Sequence, residues 1–191
     1  MQRPACFVHI LGFAGSGKLT IARELALRLP AILVDNHFVN NVVLGLIDPD
    51  GVTPLAAGVW DNIRKVRAIV FDTILLYAKP DRSFVFTNEI LEGEALAEQT
   101  CADLARIAEA RGATYLPVRL LISPEELARR VASPERTLRL KEVDTEAALM
   151  KAQTQRVFKP SNHHCLDITV TSLNPVEAAE DIARELRATE A

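Results

Sequence analysis

The run Gly12-Phe13-Ala14-Gly15-Ser16-Gly17-Lys18 fits the spacing GxxxxGK, and it constrains this chain more than any other segment. Before it, Cys6 to Leu11 (CFVHIL) reads as a buried strand. After it, Lys18 to Leu29 reads as a helix with Ile21, Leu25 and Leu29 on one face. Glycines in such a connection let the backbone curl until several N–H groups converge on one anion. The helix N-terminus adds partial positive charge, and Lys18 adds a mobile ammonium. A plain glycine-rich turn needs neither three glycines nor a lysine. The strand–loop–helix context therefore predicts a phosphate loop for ATP or GTP, with Gly12, Ala14, Gly15, Ser16, Gly17, Lys18, Leu19 and Thr20 as nucleotide contacts.

The rest of the chain alternates short β-rich runs with helical patterns. Ala31 to Val34 reads as a second strand ending at Asp35, and Asn36 to Gly58 as an irregular excursion rich in asparagine, glycine and proline. Val59 to Ala78 has the spacing of a long helix, with Trp60, Ile63, Val66, Val70 and Ile74 facing a core. Ser83 to Thr87 is a third strand, and a helix from Glu94 to Arg111 stops at Gly112. Tyr115 to Ile122 is a fourth strand. Ser123-Pro124-Glu125-Glu126 then supplies an N-cap, a proline at the first helical position and a glutamate to close a capping box. Asp167 to Thr171 is a fifth strand. Asn174-Pro175-Val176-Glu177 repeats the capping arrangement and opens a last helix with Val176, Ala179, Ile182, Ala183 and Leu186 inward. Five strands alternating with helices imply a parallel sheet covered on both faces, a three-layer α/β/α sandwich. With no repeat, low-complexity segment or linker, a single domain over residues 1–191 is expected.

Composition excludes several classes. The 191 residues carry a net charge of −3, which gives no basic field for nucleic acid or a membrane surface. Cys6, Cys101 and Cys165 are odd in number and contain no CxxC, which argues against a disulfide framework or a zinc ribbon. His163-His164-Cys165 are adjacent, and neighbours in sequence rarely ligate one ion together. Arg3 and the apolar run after it mimic a signal peptide, but the run is short and leads straight into the glycine loop. No stretch approaches the roughly 18 apolar residues of a membrane span, so a cytoplasmic location is expected. Oligomeric state is not legible.

After Lys18 comes Leu19, where the standard motif has Ser or Thr, and Thr20 follows one place later. This resembles the adenylate-kinase branch of P-loop kinases. The resemblance implies that Thr20 binds phosphate and that Mg²⁺ is held largely through water. The whole chain resembles the small P-loop kinases of the nucleoside monophosphate kinase, shikimate kinase and chloramphenicol phosphotransferase group. Strand two ends Val34-Asp35-Asn36-His37, where the group places an aspartate facing the acceptor hydroxyl. Leu127 to Arg136 (LARRVASPER) stands where the group has an arginine-bearing lid, here about 129–145, with Arg139 and Lys141 continuing the positive charge. Thr171-Ser172-Leu173-Asn174-Pro175 resembles the loop bordering the adenine ring. The helix with Arg64 and Arg67 stands where the group keeps acceptor-binding arginines. The third strand departs from the pattern. It ends Phe86-Thr87-Asn88-Glu89, without the Walker B aspartate of nucleotide kinases or the Gly-Gly of shikimate kinases.

The expectation is transfer of the γ-phosphoryl of ATP, with Mg²⁺, to a hydroxyl or phosphate of a small acceptor. By the resemblance Lys18, Asp35 and Arg136 are catalytic, and Arg130, Asn174 and Pro175 join the nucleotide contacts. Asp35, His37, Asn40, Asn41, Arg64, Arg67 and Asn88 are candidate acceptor contacts. The rival is a nucleotide-binding module in which occupancy or hydrolysis regulates a partner. The missing Walker B aspartate favours that rival; the lid arginines and Asp35 favour the kinase, since a switch needs no acceptor cleft.

Overall fold

A computed structural model describes residues 4–50, 53–132 and 144–189. Its organising strand is β1 (Cys6–Leu11), whose side chains alternate between two cores as the period of a pleated strand requires. Cys6, Val8 and Ile10 pack on one face against Ile21 and Leu25 of α1 (Lys18–Arg28) and Ile182 and Leu186 of α7 (Pro175–Thr189). Phe7 faces the other way. It joins Phe84 and Phe86 of β3 (Phe84–Asn88), Ile74 of α3 (Ala57–Tyr77), and Leu104 and Ile107 of α4 (Ala97–Ala110). Leu11, at the end of that face, packs with Cys101 of α4 and Leu127 and Val131 of α5 (Pro124–Val131).

With β2 (Ile32–Asp35), β4 (Thr114–Leu121) and β5 (Leu166–Thr169), the sheet runs in the order β2-β3-β1-β4-β5, every pair parallel. This is the three-layer sandwich the alternation predicts. From β1 the chain crosses to the edge strand β2, returns to β3 and then passes to β4 and β5 on the other side, so the crevice at the carboxyl ends of β1 and β3 is a topological switch point. Register brings those ends level: Leu11 lies opposite Asn88, and Asp35 opposite Thr87. The first loop residue is tied to the same edge, Gly12 N–H donating to the Asn88 carbonyl at 3.2 Å.

Two helices differ from the sequence expectation. The excursion after Asp35 begins with α2 (Asn36–Leu44), whose three asparagines weaken the helical signal and which buries only Val39 and Asn40. Further along, α6 (Thr145–Thr154) buries two alanines, too faint a stripe to read. Its start is nonetheless well defined, since Asp144 accepts from the N–H groups of Glu146 and Ala147, both at 3.0 Å.

The two predicted capping boxes also diverge. Asn174 and Glu177 form the full reciprocal pair. At Ser123 only half forms: its hydroxyl accepts from Glu126 N–H at 3.3 Å, but the Glu126 carboxylate turns to two arginines instead. Trp60, expected in the core, is 44% exposed and lines the cleft described below.

Candidate active site

The glycine loop has the strained backbone its sequence implies. Gly15 (φ 96°) and Gly17 (φ 94°) are left-handed, a conformation that costs residues with a Cβ about 1 kcal/mol or more. Gly12 is needed for a different reason: a Cβ there would stand 2.6 Å from the Ser16 hydroxyl and 3.3 Å from Leu120 Cβ. That Ser16 hydroxyl is fully buried and has no hydrogen-bond partner among the described residues. Lys18 is folded back over the loop, donating to the carbonyls of Gly12 at 2.7 Å and Phe13 at 2.8 Å. Ala14, Gly15, Gly17, Leu19 and Thr20 line the adjoining cleft, whereas Gly12 and Ser16 lie beneath it.

Arg130 lines the same cleft and braces the loop. Its Nε donates to Glu126 at 2.6 Å, its Nη1 to the Ser16 carbonyl at 3.1 Å and its Nη2 to the Val170 carbonyl at 2.7 Å. Hydrogen bonds from Arg129 and Arg130 hold the Glu126 carboxyl down at about 2. Of the expected base-side contacts, Pro175 lines the cleft, while the Asn174 side chain is occupied as the cap of α7. Arg136, Arg139 and Lys141 lie outside the described residues.

Asp35 occupies the N-cap position of α2 but does not cap it. Its carboxylate instead accepts from the Thr87 hydroxyl at 2.5 Å, and that hydroxyl accepts from Asn36 N–H at 3.2 Å. Next to it the Asn36 side-chain oxygen receives two donors, Asn88 Nδ2 at 2.9 Å and Arg67 Nη2 at 3.2 Å. Burial and the neighbouring Arg64 lower the pKa of Arg67, although a guanidinium remains protonated at neutral pH. Arg67 forms no ion pair among the described residues. Arg64 pairs with Asp61 on its own helix.

A cleft of about 1230 Å³ joins these groups, with Lys18, Asp35, Asn36, His37, Asn40, Arg64, Arg67 and Asn88 in its walls. Asn41 is exposed and stands outside it. Two groups that sequence reasoning missed lie behind Asn88. His9 Nε2 is 2.9 Å from Asn88 Oδ1, and His9 Nδ1 is 3.1 Å from the Tyr115 hydroxyl. Burial lowers the His9 pKa to about 4, so the ring is neutral. The one sequence signal was a histidine inside an otherwise apolar strand.

For a divalent cation the donor set is sparse. The described residues hold no cluster of three or more His, Cys, Asp or Glu side chains. Thr20 lines the cleft beside the loop, and Glu89, following β3, pairs with Lys151 at 3.5 Å. These residues fit an ion carried mainly by phosphate and water. His163 and His164 turn to separate partners, the Tyr115 ring and Glu185.

No protein-family profile matches the chain, and no curated protein matches it in sequence. Solved structures do. A sugar kinase from Janibacter sp. HTCC2649 superposes with a TM-score of 0.65 at 14% identity, over 96% of this chain and 95% of that one. A gluconokinase from Sinorhizobium meliloti 1021 gives 0.60 at 16%, over 100% and 98%. A shikimate kinase from Acinetobacter baumannii in complex with shikimate gives 0.54 at 13%, over 97% and 94%. The fold is that of the P-loop small-molecule kinases. No helix among the described residues is long and apolar enough to cross a membrane.

Proposed function

We propose that this protein is an ATP-dependent kinase of one domain that phosphorylates a small hydroxylated acceptor. The observation that carries the proposal is the placement of Asp35 in the same cleft as Lys18, its carboxylate held by Thr87 rather than spent on capping a helix. A regulatory switch needs no acceptor cleft, and here Asp35 and the loop line a shared one. The names of the fold neighbours, a sugar kinase, a gluconokinase and a shikimate kinase, agree with this reading.

Bound Mg·ATP would supply the phosphoryl group and neutralise charge on its oxygens. The chain's own residues do the rest. The loop N–H groups and Lys18 hold the phosphates, Lys18 exchanging the carbonyls of Gly12 and Phe13 for phosphate oxygens. Thr20, lining the cleft beside the loop, would meet the metal through water. Asp35 orients the acceptor hydroxyl and takes its proton as that oxygen bonds to the γ-phosphorus and the bridging bond to the β-phosphate breaks. Arg136, outside the described residues, would offset charge on the transferred group. Arg67, a guanidinium with no carboxylate partner among the described residues, favours an acceptor that also carries a carboxylate or phosphate.

The test is turnover of ATP with Mg²⁺ against a panel of hydroxy acids, polyols, polyol phosphates and nucleosides, with products read by phosphorus NMR. A phosphorylated acceptor is expected. ATP binding with no product from any member would leave the nucleotide-regulated module as the better reading.

A further inference from the structure

Arg67 can only donate hydrogen bonds, and that fact fixes the direction of a whole chain of them. The Asn36 atom that meets Arg67 Nη2 must be the amide oxygen. The Asn88 atom that meets the same oxygen must therefore be the amide nitrogen, which turns Asn88 Oδ1 inward to His9. An oxygen there requires a proton on His9 Nε2. In the neutral ring Nδ1 is then an acceptor and takes the Tyr115 hydroxyl proton. Each member has one consistent orientation, running from the fully buried strand β1 to the wall of the cleft.

We propose that His9 is a positioning residue for the acceptor: its Nε2–H locks Asn88, and through Asn88 locks Asn36 with its amide nitrogen presented to the cleft. Resting on the kinase reading above, this makes the acceptor side of the cleft a donor surface. Asn36 Nδ2 and Arg67 offer N–H groups, and Asp35 is the acceptor beside them. Such a surface selects an acceptor whose oxygens accept hydrogen bonds at one end and whose hydroxyl donates at the other. An Asn amide has two orientations of nearly equal shape, and without the His9 proton Asn88 is held from the Asn36 side alone, its inward oxygen unpaired, so the flipped orientation becomes competitive. Flipping it would set oxygen against oxygen at Asn36, turn the Asn36 amide over and remove the Arg67 contact.

The experiment has one arm on the free protein and one on turnover. Long-range nitrogen–proton NMR of the imidazole reads the His9 tautomer directly: Nε2–H is expected, and Nδ1–H overturns the proposal. For turnover, the acceptor that the wild type phosphorylates in the panel is used with His9→Leu, His9→Gln and Asn88→Asp. His9→Leu should raise the acceptor KM by about tenfold or more, the loss of one hydrogen bond to a charged group, and leave the ATP KM unchanged. His9→Gln, which restores an N–H donor, should recover most of that loss. Asn88→Asp keeps the His9 contact but presents only oxygen to Asn36, and should raise the acceptor KM alike, which reads the same quantity should His9→Leu not fold. Acceptor KM unchanged in Asn88→Asp, or ATP and acceptor KM rising together in either variant, overturns the positioning role. A wild type that phosphorylates nothing in the panel overturns the kinase reading itself, and the tautomer still decides the wiring.

Discussion

Arg130 donates to the carbonyl of Ser16 at 3.1 Å, across 114 residues of sequence, and so fixes the peptide plane between Ser16 and Gly17. In a trans peptide the carbonyl and the N–H point in opposite directions. Holding the Ser16 carbonyl therefore points the Gly17 N–H away from Arg130. The same guanidinium reaches Val170 just beyond β5 and Glu126 on α5. One side chain thus joins the glycine loop, the end of the last strand and α5. If the loop binds ATP as proposed, Arg130 acts on it through the backbone it holds.

Arg130→Ala should accordingly weaken ATP binding by about tenfold, the order expected for losing a charge-assisted contact that preorganises the site. Arg130→Lys should recover little, because an ammonium cannot span the three acceptors that the planar fork reaches. Calorimetric titration with an ATP analogue measures both. Wild-type affinity in Arg130→Ala would leave the arginine as a structural tie between α5 and β5.

Lys18→Ala should abolish detectable phosphoryl transfer and leave the protein folded. The side chain bonds carbonyls of its own loop and fills no core, so the melting temperature should stay within a few degrees, on the scale of surface substitutions. Turnover of ATP at the wild-type rate by a folded Lys18→Ala would show that the loop is not the phosphate site.

What the sequence displayed and what it hid divide along physical lines. The strands were legible because each is a short apolar run bounded by turn residues, and the loop because GxxxxGK is specific. Asp35 and Asn88 could be placed near one another by the ends of strands, and Arg67 near them by the family resemblance. Their hydrogen bonds could not. Thr87 holding Asp35, and His9 holding Asn88, join residues 52 and 79 positions apart, and no local pattern encodes that. Helices α2 and α6 stayed hidden because they bury so little that their apolar stripe is nearly absent. Trp60 was misplaced for the opposite reason. It stands in phase with Ile63 and Ile74, yet one end of α3 overhangs the cleft, so the stripe continues past the core.

Stability should fall with acid through the His9 ring. Its folded pKa, about 4, lies below the ordinary histidine value of 6.5 because burial disfavours the charged form. Between those two values the unfolded chain binds a proton that the folded chain refuses. This stabilisation is therefore complete above about pH 6.5 and is lost as pH falls toward 4, by an amount on the order of 3 kcal/mol over the window. Denaturant melts of wild type and His9→Gln across that range measure it. The variant should show a shallower decline, and equal slopes would mean that another group carries the acid sensitivity.

The decisive prediction compares Asp35→Asn with Thr87→Val. Asparagine keeps an oxygen for the Thr87 hydroxyl, so the pair at the strand ends survives while the charge and the basicity go. Transfer should fall by roughly two orders of magnitude, the usual span for loss of a general base, with melting temperature and ATP affinity near wild type. Thr87→Val does the reverse. It leaves the carboxylate in place but strips its donor and removes the acceptor of Asn36 N–H, which should cost about 1–3 kcal/mol in stability for the unpaired groups. Its rate per folded molecule should drop far less, because the base is still present and only its aim is loosened. Turnover corrected for the folded fraction separates the two effects. A larger catalytic loss in Thr87→Val than in Asp35→Asn would mean that the hydroxyl, and not the carboxylate, acts on the acceptor, and the assignment of Asp35 would fall.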